Sequence, residues 1–433
     1  MNISILTVFP EIFGPFLATS LVKKAQEKKL VSFDVTSYFS FVKPKERIDA
    51  PTCGHGSGML IKPRVVEDAI ASQDKKHGKS FRIFFSPQGK KLDQPLLEAT
   101  AKKIQSYDHV ILASSRYEGM DARVEQEYAD LVISVGDFVV MGGDIPAMLF
   151  LEGLLRHIPG VIGRKESVEQ DSFSGPFVDY PEFTEPVEWR GKKVPDVVLS
   201  GNHAELQKWR ESQAAYKTIK EHFDWFRTSP MTEHQKNLGK SCIPSHYAVL
   251  MHSDVIVDQD RVGTTSITSL DIHDIARSAR TYGLDGYFLV SPLKDQQQIA
   301  QTLLDFWQEG KGVTYNAQRA EALASVALKN NLSEVLMEIE AREGKKPLII
   351  ATSAREVDHP SLITYYDQGD VWSQERPVLL VFGTGRGLAP EVVASSDYLL
   401  LPVAGFTEFN HLSVRSAVAV IFDRWLGWNR KRI

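Results

Sequence analysis

Two glycine-rich segments lie far apart in this chain, each accompanied by polar residues able to act on a ligand held in the turn. The first reads Ser134-Val135-Gly136-Asp137-Phe138-Val139-Val140-Met141-Gly142-Gly143-Asp144-Ile145-Pro146. The second reads Phe382-Gly383-Thr384-Gly385-Arg386-Gly387-Leu388, with Asn410-His411-Leu412-Ser413-Val414-Arg415-Ser416 downstream. Both follow apolar, strand-like runs, and in α/β proteins ligands bind outside the carboxyl ends of such strands. Neither carries the Gly-Lys-Ser/Thr of a phosphate loop or the spacing of a dinucleotide fingerprint. Small residues in adjacent loops, an apolar floor and no cationic phosphate grip suit a sulfonium nucleoside, whose adenine edge is met by backbone groups at close approach. The chemistry expected is methyl transfer, at two centres in one polypeptide.

The elements that must position these loops alternate strand and helix patterns. Strands are predicted at 3–9, 81–86, 109–113 and 131–135, the last three running into Ser86-Pro87-Gln88-Gly89, Arg116-Tyr117-Glu118-Gly119 and the 136–143 loop. Short apolar runs separated by helical segments indicate a parallel sheet covered on both faces. Asp144 ahead of Ile145-Pro146 predicts a helix with Asp as N-cap, running to Arg156. Residues 159–195, rich in Pro, Gly, Ser and acidic side chains, read as a linker or ordered lid. A polar helical region follows from Asn202 through Lys217 to Arg227. A second α/β series begins after a boundary near 230–244, with strands expected at 247–257, 286–290, 347–352, 378–382 and 398–401 and helices at 272–282 and 413–425. The fold class is α/β, divided at 1–160, 161–243 and 244–433.

The bulk numbers agree. With 433 residues, 43% of them hydrophobic, the chain can bury two or three cores. A formal charge of -5 excludes a protein coated in basic surface, yet a local Lys/Arg face can still meet nucleic acid. Cys53 and Cys242 are too few for a zinc ribbon or disulfide scaffold, which points to the reducing cytoplasm. The amino terminus lacks a signal-peptide pattern, and no apolar run approaches the ~20 residues that span a bilayer, so no membrane partner is expected.

Several of these segments closely resemble the TrmD family of bacterial tRNA (guanine-N1)-methyltransferases. They are Phe84-Phe85-Ser86-Pro87-Gln88-Gly89-Lys90-Lys91-Leu92-Asp93-Gln94, Ser115-Arg116-Tyr117-Glu118-Gly119-Met120-Asp121, the 136–148 loop, Arg156-His157-Ile158-Pro159-Gly160-Val161 and Leu199-Ser200-Gly201-Asn202-His203-Ala204-Glu205. The resemblance covers residues 1 to about 240. It implies a deep trefoil knot of the SPOUT class, S-adenosylmethionine bound bent in the knot, a magnesium requirement, and an obligate homodimer with an active site shared between subunits. The substrate implied is tRNA, not DNA, methylated at N1 of the guanosine just 3′ of the anticodon.

The implied donor-binding residues are Ser86, Pro87, Gln88, Gly89, Tyr117, Glu118, Gly119, Val135, Gly136, Phe138, Val140, Gly142, Gly143 and Pro146. Asp171 matches the family's general base and Arg156 its partner, with Glu118 a further participant. Taken alone, Asp171 would be a solvated carboxylate and Arg156 a helix-end charge; the chemistry nevertheless suits them. Guanine N1 must lose a proton before its lone pair attacks a methyl group, and a guanidinium stabilises charge growing on the neighbouring carbonyl oxygen. Asp49, Gly58, His203, Lys208, Trp209 and Arg210 are expected to meet RNA, with Lys217 on the same helix. One departure stands out: the family's Asp-Arg-Pro-Tyr-Gly-Gly-Gly-Pro-Gly-Met is here Ala50-Pro51-Thr52-Cys53-Gly54-His55-Gly56-Ser57-Gly58-Met59.

The 245–433 region is similar to SPOUT ribose methyltransferases of the TrmH type, through Asp271-Ile272-His273-Asp274-Ile275-Ala276-Arg277-Ser278-Ala279, the 382–391 segment and His411-Leu412-Ser413-Val414-Arg415-Ser416-Ala417. As a whole it looks closest to a bacterial SPOUT group typified by a Thermotoga protein. The resemblance implies ribose 2′-O-methylation, with donor contacts at Gly383, Thr384, Gly385, Gly387, Leu401, Asn410, Leu412 and Ser413. Arg277 is the inherited candidate base and His411 the chemically easier one. The motif glutamate is replaced near Gly385, and Ser413 stands where asparagine is usual. A catalytic domain and a non-catalytic RNA-binding or dimerisation module both remain open for this half.

Overall fold

The computed structural model describes residues 1–54, 56–162, 171–259 and 261–429. His55 of the substrate-type loop, and Glu169 and Gln170 ahead of Asp171, therefore lie outside the described residues. The chain forms two compact units, Met1–Ser174 and Gly175–Ile433.

The first unit is built on β1 (Asn2–Thr7), β2 (Ser32–Ser37), β3 (Ser80–Lys91), β4 (His109–Ala113) and β5 (Leu131–Ser134), in the order β2-β1-β4-β3-β5. Every pairing in this sheet is parallel. Successive side chains leave a strand on opposite faces, and here both faces are apolar. Ile3, Ile5, Phe81, Ile83, Val110 and Leu112 pack into one core layer, while Leu6, Phe84, Ile111 and Ala113 pack into the other. Parallel strands require crossovers, and helix α1 (Asp144–Arg156) buries Ala147, Phe150, Leu151, Leu154 and Leu155 against the first layer.

Two local expectations change. The 86–89 turn is an excursion inside β3, because Phe85 and Lys90 both register with Ile133 and the four residues between them loop out. Asp144 is the first residue of α1 rather than its cap, which is Gly143. Its carboxylate is drawn instead into a buried ion pair.

The second unit carries a seven-stranded, all-parallel sheet. Its strands are β6 (His246–Met251), β7 (Gly286–Val290), β8 (Val326–Lys329), β9 (Leu348–Thr352), β10 (Leu362–Ile363), β11 (Val378–Gly383) and β12 (Tyr398–Leu400), in the order β8-β7-β6-β11-β9-β12-β10. The same two-faced burial recurs: Ala248, Leu250, Leu289, Ile350, Leu380 and Phe382 face one layer, and Val249, Met251, Phe288, Val290, Leu379 and Val381 the other. The strand expected at 247–257 breaks at Asp254, whose φ of 54° turns the chain into the separate strand Val255–Asp258.

The polar helix predicted after Asn202 is α2 (His203–Glu221), with Asn202 accepting from the Glu205 amide. It packs onto the second sheet's core. Ile219, Phe223 and Phe226 share one apolar cluster with Val371 and Trp372, and Phe223 meets Trp372 edge-on at 4.8 Å between centroids. Within this cluster His246 is wholly buried, its Nδ1 toward the Pro244 carbonyl while Trp372 and Trp425 both donate to its Nε2. Helices α3 (Ser269–Tyr282) and α4 (Val414–Leu426) cover the same face.

Candidate active site

In the first unit a cavity of about 370 Å³ opens at the carboxyl ends of β4 and β5, beside the excursion inside β3. Ser86, Pro87 and Gln88 line it from the β3 excursion, and Tyr117, Glu118 and Gly119 from the loop after β4. Val135, Phe138, Val140, Gly142, Gly143 and Pro146 line it from the loop after β5 and the start of α1. Gly89 and Gly136 do not line it. The loops touch through backbone. The Gly143 amide donates to the Ser115 carbonyl at 2.8 Å, and a Cβ on Gly143 would lie 2.9 Å from the Ser115 nitrogen. Beneath them Asp144, fully buried, accepts from Arg116 Nε and from Thr7 Oγ1, each at 2.7 Å. One carboxylate thus ties the end of β1, the loop after β4 and the first turn of α1, where helix polarity favours an anion.

The described side chains lining this cavity include two carboxylates, Glu118 and Glu125, and no Lys, Arg or His. Burial raises the Glu125 pKa. A cavity carrying carboxylates and no cation attracts a positively charged sulfur and repels phosphate. A hairpin, Asp49–Pro51 with Met59–Ile61, docks on its rim: the Glu118 amide donates to the Met59 carbonyl at 3.1 Å, and Gly58 lies against the Glu118 side chain. Asp49, at the hairpin's base, is forked by Arg47, which lowers its pKa.

Asp171 and Arg156 are brought together. Arg156 Nη2 donates to Asp171 Oδ2 in a half-exposed ion pair on the same unit. Neither residue lines the cavity. The two halves of the expected machinery therefore occupy different parts of one chain's surface.

In the second unit a cavity of about 770 Å³ lies at the carboxyl ends of β9 and β11. Gly383, Thr384, Gly385, Gly387, Asn410, His411, Leu412 and Ser413 line it. The glycine loop is stitched to the end of β6 and to the strand Val255–Asp258: Thr384 Oγ1 donates to the Met251 carbonyl at 2.9 Å, and the Arg386 amide to the Ile256 carbonyl at 2.8 Å. Gly385 has φ of 61°, and a Cβ there would lie 2.7 Å from the Ile256 oxygen, so only glycine fits. Asn410 Nδ2 donates to the Ala354 carbonyl at 2.8 Å, and Ser413 caps α4.

Leu401 and Arg277 do not line the cavity of their own chain. Arg277 is exposed and lies off the cavity, because the stripe of α3 that packs inward is Asp271, Ile272, Ile275, Ala276 and Ala279. The 100° step per residue turns Arg277 away. Residues that the sequence reading passed over do line it: Thr265, Thr268, Asp271, Arg355 and Arg386. For Asp271 a signal existed, since a carboxylate on an otherwise apolar stripe is aimed inward.

The tRNA (guanine-1)-methyltransferase TrmD family model matches residues 1–228. The chain belongs to the TrmD family. A model described as SAM-dependent RNA methyltransferase matches residues 245–427, so each cavity falls inside one methyltransferase match. Proteins named tRNA (guanine-N(1)-)-methyltransferase from Nitratidesulfovibrio vulgaris and Oleidesulfovibrio alaskensis are each 34% identical, over 99% of this chain and 99% of their own length. One of the same name from Bacillus subtilis is 37% identical over 238 residues, 54% of this chain and 96% of its own. Within the TrmD family, then, relatives exist both with and without the second α/β region.

The helical segment of this TrmD-family chain holds its expected RNA contacts unevenly. His203, Lys208 and Lys217 are exposed, whereas Trp209 and Arg210 are half-buried. Arg210 lies 4.7 Å over the Tyr180 ring and Trp209 packs on Phe183, so both also fasten the preceding segment to α2. Among the described residues no three His, Cys, Asp or Glu side chains converge as metal ligands. Among the described residues no helix is long and apolar enough to cross a membrane.

Proposed function

We propose that the first unit carries a methyl group from S-adenosylmethionine to N1 of the tRNA guanosine just 3′ of the anticodon, as a SPOUT-class trefoil knot in an obligate homodimer. The observation that carries this reading is the coincidence of the TrmD match with a cavity, lined by no Lys, Arg or His among the described residues, where β4 and β5 end beside the β3 excursion. When bound there, the donor supplies an electrophilic methyl on a positively charged sulfur. Glu118 and Glu125 favour that charge, the backbone of the 86–89 and 136–143 loops meets the adenine, and Asp171 takes the N1 proton. Arg156, already paired with Asp171, is placed to follow the negative charge onto the guanine carbonyl oxygen.

Separation of the Arg156–Asp171 pair from the cavity of its own chain supports a site completed by a second subunit. So does the apolar rim of Phe138, Val139, Met141, Ile145 and Leu149, all exposed beside the donor loops. The residues 161–243 would then meet tRNA through the exposed cations of α2, and residues 244–433 would act as a second methyltransferase. For that second site a ribose 2′-hydroxyl is the proposed target, with His411 at the cavity. The alternative is a non-catalytic RNA-binding or dimerisation module, favoured by the exposed aromatics Phe406 and Phe409. A tRNA modification of this kind belongs to the cytoplasm.

Mass spectrometry of nucleosides from tRNA treated with the intact chain tests the reading. N1-methylguanosine should form, and should vanish in Asp171→Asn while donor affinity is kept. A wild-type chain that makes none overturns it.

A further inference from the structure

We infer that Asp271 is the proton acceptor of the second cavity and that Arg415 holds it there, an assignment resting on the methyl-transfer reading of that cavity. Among the described residues lining the cavity, Asp271 is the one carboxylate, and it is 6% exposed. Burying an ionised carboxylate is unfavourable unless it is paired and hydrogen-bonded. Both conditions are met: Thr268 Oγ1 donates to Oδ2 at 2.6 Å, and Arg415 Nη1 donates to Oδ1 at 3.3 Å. A carboxylate has about four lone-pair positions. One donor per oxygen leaves each with a free lone pair. Asp271 sits in the first turn of α3 and Arg415 in the first turn of α4, which opens directly after the 410–413 segment. The acid is thus held beside the same cavity that the glycine loop lines.

The other candidates serve the proton less well. Arg277 is exposed off the cavity, and a guanidinium stays protonated in proteins. His411 is exposed and leans on the Phe409 ring at 5.2 Å. Arg355 and Arg386 line the cavity as exposed cations, suited to the phosphodiesters of an RNA and not to accepting a proton. The groups around Asp271 are Arg415 from α4, Asp274 from its own helix, which shares Arg415 at 3.6 Å, and His252 and Tyr287 from the sheet beneath. Burial lowers the His252 pKa to about 4, leaving that imidazole neutral. The result is a carboxylate held by a guanidinium, the same chemical pair as Arg156–Asp171 in the first unit.

In the step, an O–H or N–H of RNA gives its proton to a free lone pair of Asp271. The nucleophile's electron pair forms the bond to the methyl carbon, and the carbon–sulfur bond breaks with its pair returning to sulfur. The products are methylated RNA, a neutral thioether and protonated Asp271, which releases its proton to water.

The test uses the full-length chain, isotopically labelled S-adenosylmethionine and total RNA from a strain lacking the gene, with methylated nucleosides separated by mass spectrometry. N1-methylguanosine is the internal control for the first unit. Asp271→Asn should lower the rate of the second nucleoside ~10²–10⁴-fold, the size of a lost general base. It should leave calorimetric donor binding at two sites intact, and the acid limb of the pH–rate profile should disappear. Asp271→Glu should restore part of the rate, and Arg415→Lys should reduce turnover more than RNA affinity. Wild-type rate in Asp271→Asn overturns the assignment while the methyl-transfer reading stands; so does a rate loss matched by loss of donor binding. A wild-type chain that makes no second methylated nucleoside overturns both.

Discussion

Replacing Asp144 with alanine should damage the first unit far more than its exposed neighbours would suggest. Asp144 is fully buried and accepts two hydrogen bonds of 2.7 Å, one from Thr7 and one from an Arg116 guanidinium that is 18% exposed. Removing one partner of a buried pair leaves the other charge desolvated and uncompensated, at a cost of about 3–5 kcal/mol. Thr7 keeps the Phe9 amide donating to its Oγ1 at 3.0 Å but loses the acceptor of its own buried hydroxyl proton, a further loss in the same direction. For a unit of this size each kcal/mol lowers the melting temperature by about 2–4 °C, so the first-unit transition should fall by about 6–20 °C. The loop holding Tyr117, Glu118 and Gly119 loses its anchor as well, so donor binding should weaken at one of two sites. Calorimetric unfolding of the full-length chain, with donor titration below the transition, measures both. The double variant Arg116→Met/Asp144→Leu removes both charges and should recover much of the stability without recovering donor affinity. A melting temperature within about 2 °C of wild type for Asp144→Ala, less than 1 kcal/mol on the same scale, would refute the argument that this pair organises the loops.

In the proposed first site, Arg156→Ala should lower turnover of N1-methylguanosine formation by ~10²–10³, as for lost electrostatic stabilisation, with little change in donor affinity; an effect confined to substrate affinity contradicts that role. Charge reversal at the exposed Lys208 and Lys217 should weaken tRNA binding and flatten its salt dependence, read by filter binding across a salt series; unchanged slopes would make α2 a scaffold only. His246, buried and accepting two indole N–H groups, has its pKa lowered by burial to about 4. Its unfolded value is near ~6.5, so its contribution is complete above that pH and is lost toward pH 4, at about 1.4 kcal/mol per pH unit. Denaturant unfolding of the second unit from pH 7 to pH 4 should show this fall, and His246→Gln should flatten it. Gly385→Ala, forced to a φ of 61° with its Cβ 2.7 Å from a carbonyl oxygen, should cost about 1–3 kcal/mol and abolish donor binding at the second cavity only; donor titration counting two sites would contradict it.

Much of the scaffold could be read from the sequence because parallel strands buried on both faces leave a strong trace. Runs such as His109–Ala113, Gly286–Val290 and Val378–Gly383 are almost wholly apolar, and the glycines that follow several of them mark where backbone passes close to backbone. What the sequence by itself determined, then, was two parallel α/β sheets, the loops at their carboxyl ends and the motifs of the TrmD family. Tertiary packing decided the rest. Asp144 had the sequence position of a helix cap, but the partner that captures its carboxylate, Arg116, comes from another strand's loop. The polar α2 gave no sign of which body it joins; that was settled by its Ile219, with Phe223 and Phe226 from the short helix after it, joining the cluster of Trp372, far along the chain. In α3 the family motif carries Arg277, yet a helix can bury only one stripe against a sheet. The stripe holding Ile272, Ile275, Ala276 and Ala279 carries Asp271 to the cavity and turns Arg277 to solvent. Local sequence specifies which residues a helix offers, but only the surface it packs against selects the face that does chemistry.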